Sequence, residues 1–287
     1  MLDAFFQYTF LQHALWSGII VGLVSPVVGV FLVTRRLSLM ADALSHVTLS
    51  GVAAGLLLRD ASPSLAFVNP VYVGMAFSVA GSLFVEKLRK VYDSFSELAI
   101  PIMLSTGVAL GVVLISIANG FNADLFGYLF GSVLSVTFSD LVTIGVVGVI
   151  VLGVVVLFYK ELFYLSFDEE SAVLSGLPQK RLNLLFMVVV ALVIATAMRI
   201  VGIMLVSAMM TLPVATSLQV AKSFKQTFFY AIFFAEAAVV GGLILSFYLD
   251  WASGGTIVLL AVTMLLAVLG GKRMLRRRQA AVASEGT

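Results

Sequence analysis

Nine apolar runs, each long enough to cross a bilayer, leave this chain essentially one way to fold. They fall at roughly 12–34, 38–58, 66–85, 97–118, 139–159, 181–199, 201–218, 227–248 and 255–271. About 20 residues of helix rise ~30 Å, the thickness of the hydrocarbon layer. Inside that layer the backbone must satisfy its own N–H and C=O groups, so such runs are expected as helices. Composition agrees: 61% of the 287 residues are hydrophobic and 11% charged, where a soluble chain carries about 25% charged residues. The expected fold class is an all-α integral membrane protein of about nine transmembrane helices. The run 201–218 is the least regular, because it follows Arg199 directly and contains Pro213, which removes a helical N–H.

The basic residues fix the orientation. With nine alternating spans, all but Arg59 and Arg199 of the 17 lysines and arginines fall on one side. Cytoplasmic loops are the ones enriched in Lys and Arg. The N-terminus is therefore expected outside and the C-terminus in the cytoplasm, with a membrane domain over 1–271 and a basic tail over 272–287. Dropping 201–218 would break the bias in the second half. The first run is too long for a signal-peptide core and lacks a small-residue cleavage site, and Arg35-Arg36 suits a stop-transfer flank.

Cysteine is absent, so any metal would be held by oxygen and imidazole nitrogen. The chain has no Gly-x-x-x-x-Gly-Lys-[Ser/Thr] loop, no Gly-x-Ser-x-Gly elbow and no His-Glu-x-x-His motif. A P-loop nucleotide hydrolase and the hydrolases those motifs mark are excluded. With no nucleophile–base constellation in view, the chain is expected not to be an enzyme.

The polar residues inside the apolar runs are few. In Ser38-Leu-Met-Ala-Asp42-Ala-Leu-Ser-His46-Val-Thr-Leu-Ser-Gly51 an Asp and a His stand four positions apart. On a helix that spacing puts them on one face, about 5–6 Å apart at Cβ. Ionisable groups in a membrane span are expensive and usually face a bundle interior or a water-filled path. A carboxylate and an imidazole aimed together can serve a divalent metal; they can equally fix a helix interface by hydrogen bonding, or gate a path without ligating. Glu236 is the other carboxylate deep in a span, placed either to line a path or to pair with a Ser or Thr of a neighbouring helix. Arg199 sits at an outer helix end, where it anchors that corner or repels cations, and Asp140 reads as the N-cap of the fifth span. His13 reads as interfacial. Gly18 and Gly22, Gly51 and Gly55, and Gly107 and Gly111 are spaced for close helix packing. Between the fifth and sixth spans, Phe167-Asp-Glu-Glu-Ser-Ala-Val-Leu-Ser-Gly176-Leu-Pro178 reads as a short cytoplasmic helix, with acidic residues at its start and Gly then Pro at its stop. It is either a solvated connector or a docking element.

Four motifs in order resemble the membrane permease subunits of bacterial ABC importers for zinc and manganese. They are Gly29 to His46, running on to Gly51-Val-Ala; Tyr128-Leu-Phe-Gly-Ser-Val-Leu-Ser-Val-Thr-Phe-Ser-Asp140; Phe167-Asp-Glu-Glu-Ser-Ala-Val-Leu-Ser-Gly176; and Arg199 to Thr216 through Pro213. The resemblance implies a type II-like importer permease fold and a bacterial plasma-membrane location. It implies Asp42 and His46 as metal-path residues, and Asp168, Glu169, Glu170, Ser171, Ala172 and Gly176 in a helix that couples to the ATPase. Arg199 and Pro213 would be structural or gating residues. The implied partners are a second permease copy, two cytoplasmic ATP-binding subunits and an extracellular metal-binding lipoprotein, with no nucleic acid. No cofactor would be bound permanently; the transported ion would be zinc by the wording of the motifs, or manganese or iron(II), and ATP would be used by the partner. An ATP-independent secondary transporter is the competing expectation.

Overall fold

A computed structural model of the chain describes residues 8–61, 67–118 and 123–285. The first seven residues of the expected membrane domain, Ala66 at the start of the third run and the last two residues of the tail lie outside the described residues. The regular elements are all helical: α1 (Thr9–Thr34), α2 (Ser38–Ala61), α3 (Pro70–Val91), α4 (Ala99–Ile117), α5 (Ala123–Phe130), α6 (Phe138–Leu157), α7 (Tyr159–Phe167), α8 (Glu169–Leu174), α9 (Gln179–Val201), α10 (Val206–Val220), α11 (Phe224–Leu249) and α12 (Ser253–Glu285). Among the described residues nine helical stretches are long and apolar enough to span a membrane, including Ile203–Val220. That seventh span is a 3-10 turn, Ile203–Leu205, followed by α10. Its 18 residues rise only a little under ~30 Å at 1.5 Å each.

α1, α2 and α9 are the most buried spans, and glycines let their neighbours close on them. A Cβ at Gly18 would meet Val239 and Leu243 of α11, one at Gly51 would meet Gly74 and Phe77 of α3, and one at Gly107 would meet Val47 of α2. The paired glycines thus serve bundle packing, which in lipid must come from contact rather than from exclusion of water. At the cytoplasmic end Phe31 gathers Tyr159, Phe186, Phe224 and Phe228 edge-on, tying α1 to α7, α9 and α11.

Two elements extend the sequence reading. The fifth span stops at Leu157, because Phe158 leaves helical geometry (φ −102°, ψ 20°) and α7 starts a new direction. α12 runs unbroken for 33 residues, ~50 Å, and carries the helix on into the basic tail. Lys272 donates from Nζ to the Gln219 carbonyl at 2.8 Å, closing the C-terminal end of α10 with a cation.

The outer corner depends on two glycines. Gly202, between α9 and the 3-10 turn, has φ +84°, and a Cβ there would lie 2.4 Å from the Leu129 carbonyl oxygen; Gly131 has φ +76° and would put its Cβ 2.2 Å from the Ile200 oxygen. Both side chains are forbidden twice, by conformation and by space. The Ser132 amide then donates to the Arg199 carbonyl at 3.3 Å, and the Ser253 hydroxyl to the Ile200 carbonyl at 2.8 Å. Gly202→Ala is expected to cost about 2 kcal/mol or more and to lower the melting temperature of the detergent-solubilised protein; an unchanged melting temperature would show that the corner does not hold the fold.

Candidate functional site

Asp42 and His46 stand in the first third of α2, about 6 and 12 Å above its start at Ser38. Both are half-buried. Asp42 Oδ1 accepts a hydrogen bond of 2.8 Å from the Ser207 hydroxyl, so its partner is α10, not His46. A hydrogen bond to a charged group is worth about 1.5–3 kcal/mol, so Ser207 offsets part of the cost of holding Asp42 inside the bundle. His46 opens on a cavity of about 410 Å³ whose other walls are apolar, among them Leu49, Val108, Val112, Phe126 and Met204. α4 supplies one of those walls and leaves Val112 and Val113 more than half exposed. The adjoining helix is held tightly, since the Ser50 hydroxyl donates to the Gly107 carbonyl at 2.6 Å.

Glu236 lies apart from this pair. It packs on α1, where a Cβ at Gly22 would come within 3.1 Å of its carboxyl carbon, and its Oε1 is buried without a hydrogen-bond partner. Among the described residues no three His, Asp or Glu side chains are close enough to hold a metal together.

Arg199 pairs with Asp140 at 3.5 Å and its guanidinium covers the Tyr128 ring at 4.5 Å. This is the anchoring arrangement, joining α9 to α6 and to the short α5. Asp140 is not the N-cap of α6. The helix begins at Phe138, Thr137 is the cap, and Asp140 is the third helical residue of a capping box, accepting from the Thr137 amide at 3.0 Å. One extra turn of helix before Leu141 moved it inward, which leaves Oδ1 free to face Arg199. His13 touches the Phe138 ring (centroids 5.7 Å apart) at the outer end of α1. Pro213 is inside α10 and buried, six residues beyond Ser207 and toward the opposite end of the helix.

Sequence reading missed Ser207, Tyr128 as the platform for Arg199, and Asn183, which accepts from Arg35. Ser207 lies within the fourth motif, but a serine in an apolar helix carries no signal until the helix opposite is known.

Within 167–178, Phe167 ends α7 and Glu169–Leu174 form the short helix α8. Asp168 precedes α8 and its Oδ1 accepts from the Ser171 amide at 2.9 Å; hydrogen bonds from Ser171 hold its carboxyl below the usual range. Ala172 is buried with Leu165 and Leu182, which fixes α8 against α7 and α9. Leu174 is exposed, and Gly176 turns the chain with φ +81° and open space around it. The side chains of Glu169 and Glu170 lie outside the described ones.

Comparison with known proteins gives a consistent picture. The profile of the ABC 3 transport family matches residues 7–271. The manganese transport system membrane protein MntC of Listeria monocytogenes is 36% identical over 91% of this chain and 90% of its own. The high-affinity zinc uptake system membrane protein ZnuB of Haemophilus influenzae is 29% identical over 88% of this chain and 94% of its own. Among solved structures, PsaBC from Streptococcus pneumoniae in complex with Fab superposes with a TM-score of 0.81 at 34% identity, covering 93% of both chains.

The Asp168 cap has a definite pH dependence. A carboxyl whose folded value is lowered stabilises α8 when ionised, and that contribution is lost as pH falls through the lowered value. Amide exchange at Ser171 is expected to stay protected down to the ordinary carboxylate value of 3.8 and to lose protection below it. In Asp168→Asn, which keeps the size and removes the charge, protection should be reduced at neutral pH; equal protection in variant and parent would remove the cap from the account.

Proposed function

Because the chain belongs to the ABC 3 transport family, we propose that it is the membrane-spanning subunit of an ATP-driven importer of divalent transition-metal ions, with manganese the first ion to test. The observation that carries the reading is Asp42 and His46 on one face of a buried helix, with Asp42 held by Ser207. The wording of the motifs favoured zinc. The relative of higher identity is named for manganese and the zinc-named one is more distant, and a carboxylate–imidazole set suits either ion.

One chain brings two ligands. A second copy related by a two-fold axis would bring two more, since such an axis duplicates every group. Two carboxylates and two imidazoles complete a tetrahedral zinc site, or part of an octahedral manganese site finished by water. The apolar cavity beside His46 and the exposed face of α4 support that side as the place of the second copy.

A transport site must also be tolerable when empty. Ser207 gives Asp42 a partner between ions, so ion release does not strand an unsolvated carboxylate. An ion arriving at Asp42 need only outcompete one hydroxyl, which keeps affinity modest and lets the ion leave. Alternating access would follow from ATP hydrolysis in a separate partner, since this chain has no P-loop. The force would enter at α8, which is packed through Ala172 onto α7 and α9 and is the helix the resemblance assigns to coupling.

Uptake into cells lacking other importers tests the ligands. Asp42→Ala and His46→Ala should each reduce uptake to background while native mass spectrometry still finds the assembly; loss of assembly instead would make the pair a packing device. Ser207→Ala should reduce uptake roughly tenfold, the low end for a group that orients a metal ligand. With equal free manganese and zinc in competition, manganese should be the ion accumulated, and zinc accumulation would restore the zinc reading. Uptake by the chain alone in liposomes, without an ATPase, would contradict the importer.

A further inference from the structure

The cavity beside His46 has a second donor atom in its wall. Among its described lining residues only His46 and Met204 carry a side-chain atom able to bind a cation; the others are aliphatic or phenyl. Met204 belongs to the 3-10 turn Ile203–Leu205 that joins α9 to α10. The backbone of that turn is fixed, because the Leu205 amide donates to the Gly202 carbonyl at 3.0 Å. A methionine in an apolar wall is ordinarily a gap-filler. Met209 and Met210, further along α10, have that part and are completely buried, whereas Met204 is 46% exposed. Three side-chain torsions give its sulfur reach from a fixed backbone.

Helix register brings Met204 level with His46. α2 begins just after Arg35, which bonds to Asn183 near the start of α9, and α10 begins where α9 ends. α2 and α10 therefore run in opposite directions. They touch where Ser207 donates to Asp42. From that contact, four residues forward along α2 climb ~6 Å to His46, and three residues back along α10 and the turn climb ~5 Å to Met204. The turn itself packs against α2. Carboxylate, imidazole and thioether thus come from one chain within about one helical turn of each other along the bundle.

We propose that the Met204 thioether is a further donor to the transported ion and tilts the site away from magnesium and calcium. The inference rests on Asp42 and His46 being the ligands of that ion. A carboxylate suits magnesium, calcium and manganese alike. A thioether is soft and uncharged, so it takes a position that water would fill around a hard ion and gives little in return. It discriminates without adding charge, which leaves the ion free to depart. A two-fold axis would supply it twice, as it does the imidazole.

Cadmium, a soft divalent ion, is the probe, and X-ray absorption at its edge on the purified full-length protein reads the donor atoms. The parent should show sulfur beside nitrogen and oxygen around bound cadmium. With no cysteine in the chain, that sulfur can only be a thioether. Met204→Leu, which keeps size and apolarity, should lose the sulfur and keep the nitrogen and oxygen. Magnesium should also displace manganese from this variant at lower concentration than from the parent. A parent without sulfur around the metal, but with nitrogen that disappears in His46→Ala, would overturn the thioether and leave the other ligands standing. Sulfur that persists in Met204→Leu would belong to another methionine and overturn the proposal, and equal magnesium competition in the two proteins would overturn the selectivity. Cadmium that does not bind, or whose donors are unchanged in His46→Ala, would overturn the Asp42–His46 ligand reading and this proposal together.

Discussion

A carboxylate kept inside a membrane bundle by one serine is the interaction on which the functional reading depends. Asp42 in hydrocarbon without a partner would be paid for by the whole fold; the Ser207 hydroxyl at 2.8 Å offsets part of that cost. That contact places α2 against α10, while His46 faces a cavity whose other described walls are apolar. The hydroxyl that reaches Asp42 comes from α10, which ties the seventh span to α2.

The two ends of the bundle are built in opposite ways. The outer corner is backbone against backbone, with Gly131 and Gly202 allowing α5, α9 and α12 to meet around Arg199 and Asp140. The cytoplasmic end is side chain against side chain, an aromatic cluster on Phe31 joined to α7 and thereby to α8. A rigid outer corner and a cluster of rings around α7 suit a device driven from the cytoplasm, since rings can slide where glycine-fitted backbones cannot.

Much of this was legible in the residues. Nine spans and the stop at Gly176 follow from apolar length and turn chemistry, which are local or cumulative signals. What escaped was set by partners distant in the chain. Ser207 is one serine among many until α10 lies on α2, and Asn183 becomes the acceptor for Arg35 only across 148 positions. Asp140 was misjudged by three residues, because the capping box depends on Thr137 and a helix start is the least determined feature of an apolar run. The composition changes at Lys272, yet nothing there breaks a helix, and α12 continues into the tail.

The central claim is that two copies of the Asp42–His46 pair surround one ion. Manganese bound to the purified protein can be read directly by pulsed electron paramagnetic resonance, which counts coupled imidazole nitrogens, alongside the ratio of ion to chain. The account predicts one ion for every two chains and coupling to two imidazoles, both lost in His46→Ala. One ion per chain, or manganese whose coupling is unchanged by that substitution, would contradict it.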